Sequence, residues 1–234
     1  MKIALLGYGK MGKAIEQIAL KRGHSIAAKT NEMVGDVLLS DADVAIDFSV
    51  PTAAVQNIKK CFAVNVPVVV GTTGWYQHFA EVKELCEKEN QSLFHATNFS
   101  VGVNIFFEIN KKLAALMNPQ TDYEIEMTEI HHTQKLDSPS GTAITLAEGI
   151  LDKIDRKNNW VEDIRKEGQL TIKAEREGDV PGTHVITYEN EIDKIEIKHE
   201  AKGRIGFATG AVIAAEWLVG KKGIFTMKDL LNIA

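Results

Sequence analysis

The start of the chain constrains its fold more than any other stretch. Ile3-Ala4-Leu5-Leu6 is an apolar run, and Gly7-Tyr8-Gly9-Lys10-Met11-Gly12 follows it directly. From Met11 to Lys21 apolar groups (Ile15, Ile18, Ala19) recur at helical spacing. A strand that runs through GxGxxG into a helix is the turn on which dinucleotides bind. Gly7 permits the tight turn, Gly9 lets the backbone approach a pyrophosphate, and Gly12 lets the helix pack close to the sheet. The free amides and partial positive charge of the helix start then favour phosphate. Tyr8, Lys10 and Met11 fill the loop between the glycines. The same glycines could form a purely structural turn; the strand before them and the helix after them favour the cofactor reading.

The next ninety residues continue in the same style. Short strands are predicted at Ser25–Ala28, Val44–Phe48, Val66–Val70 and Leu93–Ala96, and helices at Pro51–Ala63, with proline in the first turn, and His78–Glu89. Strands that are apolar throughout and separated by helices belong to a parallel sheet covered on both faces. The expected fold class is therefore α/β, a Rossmann-type doubly wound parallel sheet over residues 1–100. The pattern then changes. A helix at Phe106–Met117 is followed by a half-wet strand at Tyr123–Met127 and a helix at Thr142–Asp152. Alternating segments follow at Leu170–Lys173, His184–Tyr188 and Ile192–His199. These predict a second, α+β domain with a mixed or antiparallel sheet over residues 101–203. The charged stretch Lys153–Lys166 reads as a solvated helix or loop. A last helix at Gly210–Val219 returns the chain to the first domain, which then includes 204–234.

Charge decides what the ligands can be. With 27 basic and 32 acidic side chains the net charge is -5, so the chain has no general electrostatic reason to hold nucleic acid. An anionic ligand must be caught by a local cluster. Cys61 and Cys86 lack metal-like spacing and read as buried thiols of a reducing cytosol. No signal-peptide pattern or bilayer-length apolar run is visible, so a cytoplasmic protein without membrane partners is expected.

The second strand ends in Ala27-Ala28-Lys29-Thr30-Asn31, without the acidic residue that would bond the ribose of NAD. Lys29 with Thr30 suits the 2′-phosphate of NADP. The reading leans to NADPH, with NADH also usable; Lys29 is equally a solvent-facing lysine at a strand end. Three more loops follow predicted parallel strands, where ligands bind in such sheets: Asp47-Phe48-Ser49, Gly71-Thr72-Thr73-Gly74 and Ala96-Thr97-Asn98-Phe99-Ser100. Their hydroxyls and glycines suit a nicotinamide amide and ribose.

The segment from Glu129 to Thr142 carries the substrate chemistry. The alternation of the preceding strand breaks at Glu129-Ile130, which places His131 and His132 at the strand end. With Lys135 they form a cationic cluster in an acidic protein. Ser140-Gly141-Thr142 then opens a helix whose amides make a second anion site. Together these suit a small dicarboxylate with a reducible centre. The alternative is a surface loop with Ser140 acting only as a helix cap. Adjacent histidines also raise the question of a metal, but no third ligand stands at a suitable spacing, and none is expected.

The histidine pair, Lys135 and Asp137-Ser138-Pro139-Ser140-Gly141-Thr142-Ala143 closely resemble the signature of the 4-hydroxy-tetrahydrodipicolinate (dihydrodipicolinate) reductase family of lysine biosynthesis. The resemblance spans nearly the whole chain. It includes Gly7 to Gly12, Asp47-Phe48-Ser49, Gly71 to Gly74, Asn98 to Asn104, Arg176-Glu177-Gly178-Asp179, and Arg204 and Phe207 ahead of Gly210-Ala211-Val212. It implies that His131 is the acid/base residue and Lys135 the proton donor, and that His132, Gly141 and Thr142, beside Ser140, hold the substrate carboxylates. It implies that Thr72 and Thr73 line the nicotinamide end with Thr97 to Phe99 nearby, that Arg204 and Phe207 close over the cofactor, and that the enzyme is a homotetramer. The chain departs from the family in having Gln134 where a third basic residue often stands, and in lacking the acidic or arginine pair after the second strand. An amino-acid dehydrogenase of the same two-domain type is the alternative enzyme, and the histidine–lysine–Ser-Gly-Thr segment argues against it. A non-catalytic NADP-binding sensor would be expected to have lost His131 or Lys135.

Overall fold

Each apolar run of the first hundred residues becomes a parallel strand. In a computed structural model, which describes residues 1–31, 39–164 and 167–233, the chain divides into two compact units, 1–101 with 204–234, and 102–203.

The first unit is built on β1 (Lys2–Leu6), β2 (Ser25–Thr30), β3 (Val44–Asp47), β4 (Val68–Val70), β5 (Ser92–His95) and β11 (Gly223–Phe225). They form a six-stranded sheet in the order β11-β5-β4-β3-β1-β2, and every pairing is parallel. Helices α1 (Lys10–Lys21), α2 (Pro51–Ala63) and α3 (Phe79–Lys88, after a 3₁₀ turn at Tyr76–His78) come from the first hundred residues. Helices α6 (Ile205–Leu218) and α7 (Met227–Leu231) come from the end of the chain. The two faces of the sheet feed separate cores. One packs Ala4, Leu6, Val68 and Val70 against α2 and α3 through Ile58, Phe62 and Val82. The other packs Ile3, Leu5, Ile46 and Phe94 against α1 and α6 through Ile15, Ala211 and Val212. A side chain such as Phe94, fully buried, contributes about 1.5–3 kcal/mol by leaving water. Gly210 lets α6 touch the loop after β5, since a Cβ there would stand 1.7 Å from the Phe99 carbonyl oxygen.

The second unit holds α4 (Val101–Met117, begun in the first unit), β6 (Glu124–His131), α5 (Gly141–Leu151), β7 (Asn159–Glu162), β8 (Gln169–Arg176), β9 (Thr183–Glu189) and β10 (Lys194–Glu200). Its five-stranded sheet runs β10-β9-β6-β8-β7. The β10-β9-β6 side is antiparallel and the β6-β8-β7 side parallel, so the sheet is mixed. Ile125, Met127, Ile172, Ile186 and Tyr188 pack on one face with Ala143, Leu146 and Ala147 of α5.

Several expectations need correction. Helix α4 starts at Val101 rather than Phe106, and α6 at Ile205 rather than Gly210. The stretch Lys153–Lys166 contains a strand, β7, although Arg165 and Lys166 lie outside the described residues. Strand β6 runs past Met127 to His131, so the histidine pair does stand at the strand end, and Ile125, Met127, Glu129 and His131 are all buried. The apparent break arose because a carboxylate occupies a core-facing position. Two elements at the end of the chain, β11 and α7, carry too little periodicity to be read beforehand; α7 is announced only by its capping box, Thr226 with Asp229.

Candidate active site

The first unit gathers the predicted cofactor loops at the carboxyl ends of its strands. Gly7 has φ +92°, and a Cβ there would lie 2.2 Å from the Phe48 carbonyl oxygen. A Cβ on Gly12 would lie 2.2 Å from the Gly7 carbonyl oxygen. Gly9 is different: an added Cβ meets nothing within 4 Å. Two glycines therefore close the turn, and the third leaves open space above the start of α1. That helix has no side-chain cap and no acid in its first turn, which leaves its first amides free for an anion. Lys10 is exposed and Met11 half-buried beside it. Tyr8 N–H donates to Asn31 Oδ1 at 2.5 Å, and Gly7 N–H to the Thr30 carbonyl at 2.8 Å, which ties the glycine loop to the end of β2. These residues fit a dinucleotide pyrophosphate.

A cavity of about 260 Å³ next to this loop is lined by Met11, Phe48, Ser49, Pro51, Gly71, Thr72 and Thr73. Its floor is pinned by Asp47, which is fully buried. Asp47 accepts hydrogen bonds from Ser49 N–H (3.0 Å), Ser49 Oγ (2.8 Å), Thr72 Oγ1 (2.5 Å) and Asn57 Nδ2 (2.7 Å). Burial raises its carboxyl above the ordinary range, and those donors oppose the rise. The Thr72 hydroxyl also accepts Ser49 N–H at 2.9 Å, so it faces inward. Thr73 and Thr97 are exposed. The Phe99 side chain is buried against Phe48 and Phe94, with ring centroids 5.6 and 5.8 Å away. Only its main chain borders the loop where Asn98 Oδ1 accepts Ser100 N–H at 2.9 Å. Arg204, exposed, caps α6, and Phe207 is half-buried in its first turn.

Lys29 stands at the end of β2 as expected, but it is engaged. Its ammonium is 3.0 Å from Glu16 Oε1 and lies 4.7 Å over the Tyr8 ring. The Tyr8 hydroxyl also donates to Glu16. These contacts, with Glu16 first, raise Lys29 above its ordinary value, and Tyr8 and Lys29 lower Glu16. Glu16 was not read from the sequence. Its position on α1 shows only an amphipathic helix, not what lies across from it.

In the second unit the residues expected to meet the substrate lie along one loop and the start of α5. His131 closes β6, and His132 follows, half-buried. Lys135 Nζ donates to both oxygens of Asp137 at 2.7 Å, a contact that lowers the Asp137 carboxyl. Ser140 caps α5: its hydroxyl accepts Ala143 N–H at 3.1 Å. It is buried and lies 3.2 Å from His184 Nε2, while Gly141 behind it is exposed and Thr142 half-buried. Arg176, at the end of β8, binds this loop by donating to the Asp137 carbonyl at 2.8 Å. Thr133 N–H and Glu177 N–H bond Gly178 and His131 carbonyls at 3.2 and 2.8 Å.

Two residues of this site were missed. Glu129, fully buried, receives Ser140 N–H on both oxygens at 3.0 and 3.1 Å. Its carboxylate lies 3.4 Å from His131 Nδ1, 3.6 Å from His184 Nε2 and 3.3 Å from Arg176 Nη2. Burial works against its ionisation, yet hydrogen bonds from His184 and Ser140 with the charge of His131 hold it down at about 2. For His131, burial is the main cause of a value lowered to about 4; Glu129 opposes it, and His184, Lys135 and Arg176 add to it. The potential ligand atoms of Glu129, His131 and His184 all lie within 4.8 Å of one another. The adjacent histidines were expected to have no third ligand at a suitable spacing; the group that forms joins His131 to Glu129 and His184 and leaves His132 out. The carboxylate is occupied by the Ser140 amide and the Arg176 guanidinium, which makes the group an anion held among cations and amides.

The family model described as "Dihydrodipicolinate reductase, N-terminus" matches residues 1–99, and "Dihydrodipicolinate reductase, C-terminus" matches 102–231. The chain is similar to 4-hydroxy-tetrahydrodipicolinate reductase of Christiangramia forsetii, 55% identical over 99% of this chain and 98% of the relative. It is 33% identical to the protein of the same name from Neisseria meningitidis serogroup A, over 93% of this chain and 84% of the relative. In fold it is similar to a dipicolinate-bound dihydrodipicolinate reductase from Paenisporosarcina sp. TG-14, with a TM-score of 0.81, 22% identity, and coverage of 100% of this chain and 99% of that one. The chain is an oxidoreductase and belongs to the dihydrodipicolinate reductase family.

Proposed function

We propose that this chain reduces 4-hydroxy-tetrahydrodipicolinate to tetrahydrodipicolinate with NADPH or NADH, in the diaminopimelate route of lysine biosynthesis. The observation that carries the reading is the loop from His131 to Thr142: a buried histidine, a lysine ammonium and an uncrowded helix start at Gly141 stand in one continuous segment. A dicarboxylate is met there by the amides of Gly141 and Thr142 and by His132 and Lys135. A reduced nicotinamide held by the glycine turn and the Gly71–Thr73 loop supplies the hydride. Hydride and one proton enter the substrate and water leaves. Lys135, its ammonium 2.7 Å from Asp137, donates the proton that neutralises the ring as it gains electron density, and His131 serves as acid/base partner. A positioned proton donor of this kind is worth about 10²–10⁴-fold in rate.

The choice of dinucleotide turns on Lys29. A 2′-phosphate would draw its ammonium from Glu16; a plain ribose would leave the pair intact. Both cofactors are therefore usable, with the lean to NADPH resting on the lysine. Buried, unpaired Cys61 and Cys86 suit a cytoplasmic enzyme. Self-association into a homotetramer would use the exposed face of the second sheet, where Glu124, Glu126 and Lys173 lie; light scattering measures it, and a monomer would reject it.

The test is a coupled assay: dihydrodipicolinate synthase product plus NADPH, followed by loss of nicotinamide absorbance. Lys135→Ala should lower kcat by about two decades or more while dinucleotide binding persists. No consumption by the wild type rejects the substrate, and near-normal turnover by the variant rejects the role of Lys135.

A further inference from the structure

We propose that Glu129 is the positioning residue of this site, its carboxylate holding the acid/base His131 on one side and the start of α5 on the other. The proposal rests on the role given to His131 above and deepens it. Glu129 sits two residues before His131 on the same buried face of β6, so its Oε2 reaches back to His131 Nδ1 at 3.4 Å. The same carboxylate takes Ser140 N–H on both oxygens, at 3.0 and 3.1 Å, which fixes the residue immediately ahead of Gly141 and Thr142. One side chain thus sets the distance between the proton-handling group and the carboxylate-binding amides.

The network continues through β9. His184 Nε2 lies 3.6 Å from Glu129 and 3.2 Å from Ser140 Oγ, and the His131 and His184 rings meet edge to face at 5.2 Å. The Nδ1 atoms of both histidines are buried without a hydrogen bond. For His131 the nearest anion to that atom is Glu129. On its other side the ring is backed by Gly182, where a Cβ would come within 3.0 Å of Nε2. The charged and titratable groups facing His131 are Glu129 on its own strand, His184 on β9, Arg176 at the end of β8 and Lys135 in the loop that follows. Glu129 is the one anion among them. It favours the protonated imidazole against three groups that oppose it.

A residue that only supports the fold could be replaced by a neutral isostere without changing how His131 titrates. The experiment is therefore the His131 titration followed by NMR in the full chain, read beside kcat, KM and dinucleotide Kd. In Glu129→Gln the His131 midpoint should fall by roughly one pH unit or more. Turnover should drop roughly tenfold to hundredfold, and the dinucleotide Kd should stay unchanged because the glycine turn is in the other unit. Glu129→Asp should recover part of the titration. His184→Asn removes a group that opposes the charge on His131, so it should move the midpoint the opposite way, upward. An unchanged His131 titration in Glu129→Gln overturns the proposal. If that variant fails to fold, a downward or absent shift in His184→Asn overturns it instead. A wild type that titrates and responds as described yet does not turn over the assigned substrate refutes the substrate reading and leaves the positioning role standing.

Discussion

The three glycines of the first turn have different neighbours, and that difference can be turned into an experiment. Gly9 has φ -80° and ψ -152°, and a methyl group added to it meets no atom within 4 Å. Gly9→Ala should therefore fold normally. The change in stability should stay within about 1 kcal/mol, with a slight gain possible from the stiffer unfolded chain. That corresponds to a shift of roughly 2–4 °C or less in Tm for a chain of this size. The added methyl occupies the space through which a pyrophosphate reaches the amides of α1. Losing one charge-assisted hydrogen bond costs about 1.5–3 kcal/mol, so Kd should rise roughly tenfold to hundredfold. Gly12→Ala should do the reverse. Its methyl would stand 2.2 Å from a backbone oxygen, where no flexible side chain can yield, and such overpacking costs about 1–3 kcal/mol. Calorimetric titration with NADPH and NADH, paired with thermal unfolding, separates the two effects. If Gly9→Ala binds dinucleotide as tightly as the wild type, the open space above Gly9 is not the pyrophosphate site and the cradle argument fails.

Two further outcomes follow from the charge pairs. Glu16→Gln should free Lys29 from its 3.0 Å partner and raise affinity for 2′,5′-ADP relative to 5′-AMP by roughly twofold to fivefold; an unchanged ratio would remove Lys29 from cofactor selection. Acid should weaken the second unit. His131 is lowered from 6.5 to about 4 and Glu129 from 4.5 to about 2, so the unfolded chain binds more protons than the folded one between pH 6.5 and 2, and stability falls as pH falls through that window. Urea midpoints at pH 7 and pH 5 check the first half of it, and a midpoint that rises on acidification would contradict the sign.

The parts of this molecule that were legible in its sequence are those where local chemistry and tertiary role coincide. Val44-Ala45-Ile46 is apolar because both faces of its strand are covered, and the Gly7–Gly12 spacing is fixed by close contacts within a few residues. His131, Lys135 and Gly141 stand on one loop, so their association needs no knowledge of the fold. Glu129 was obscured because a buried carboxylate breaks the alternation that marks a strand. His184 was hidden because only the antiparallel pairing of β9 with β6, which sets it opposite Glu129, brings it to His131. Glu16 and Lys29 meet across a helix–strand contact that neither segment announces. Thr72 and Phe99 lie on the loops expected after β4 and β5, but the direction of a side chain depends on neighbours such as Asp47 and Phe48.

The discontinuity of the first unit has a consequence for the order in which the protein is made. The core on one side of its sheet needs Ala208, Ala211, Val212, Ala214 and Ala215 of α6 to cover Ile3, Leu5 and Phe94, and its β5 edge is extended by β11. A ribosome delivers these pieces only after all of residues 102–203 have emerged. Until then only α1 covers that apolar face of the nascent sheet, while every strand of the second unit is already available to pair. The half of the chain that begins first is completed last, and the glycine turn at its start gains a finished scaffold only when synthesis is nearly over.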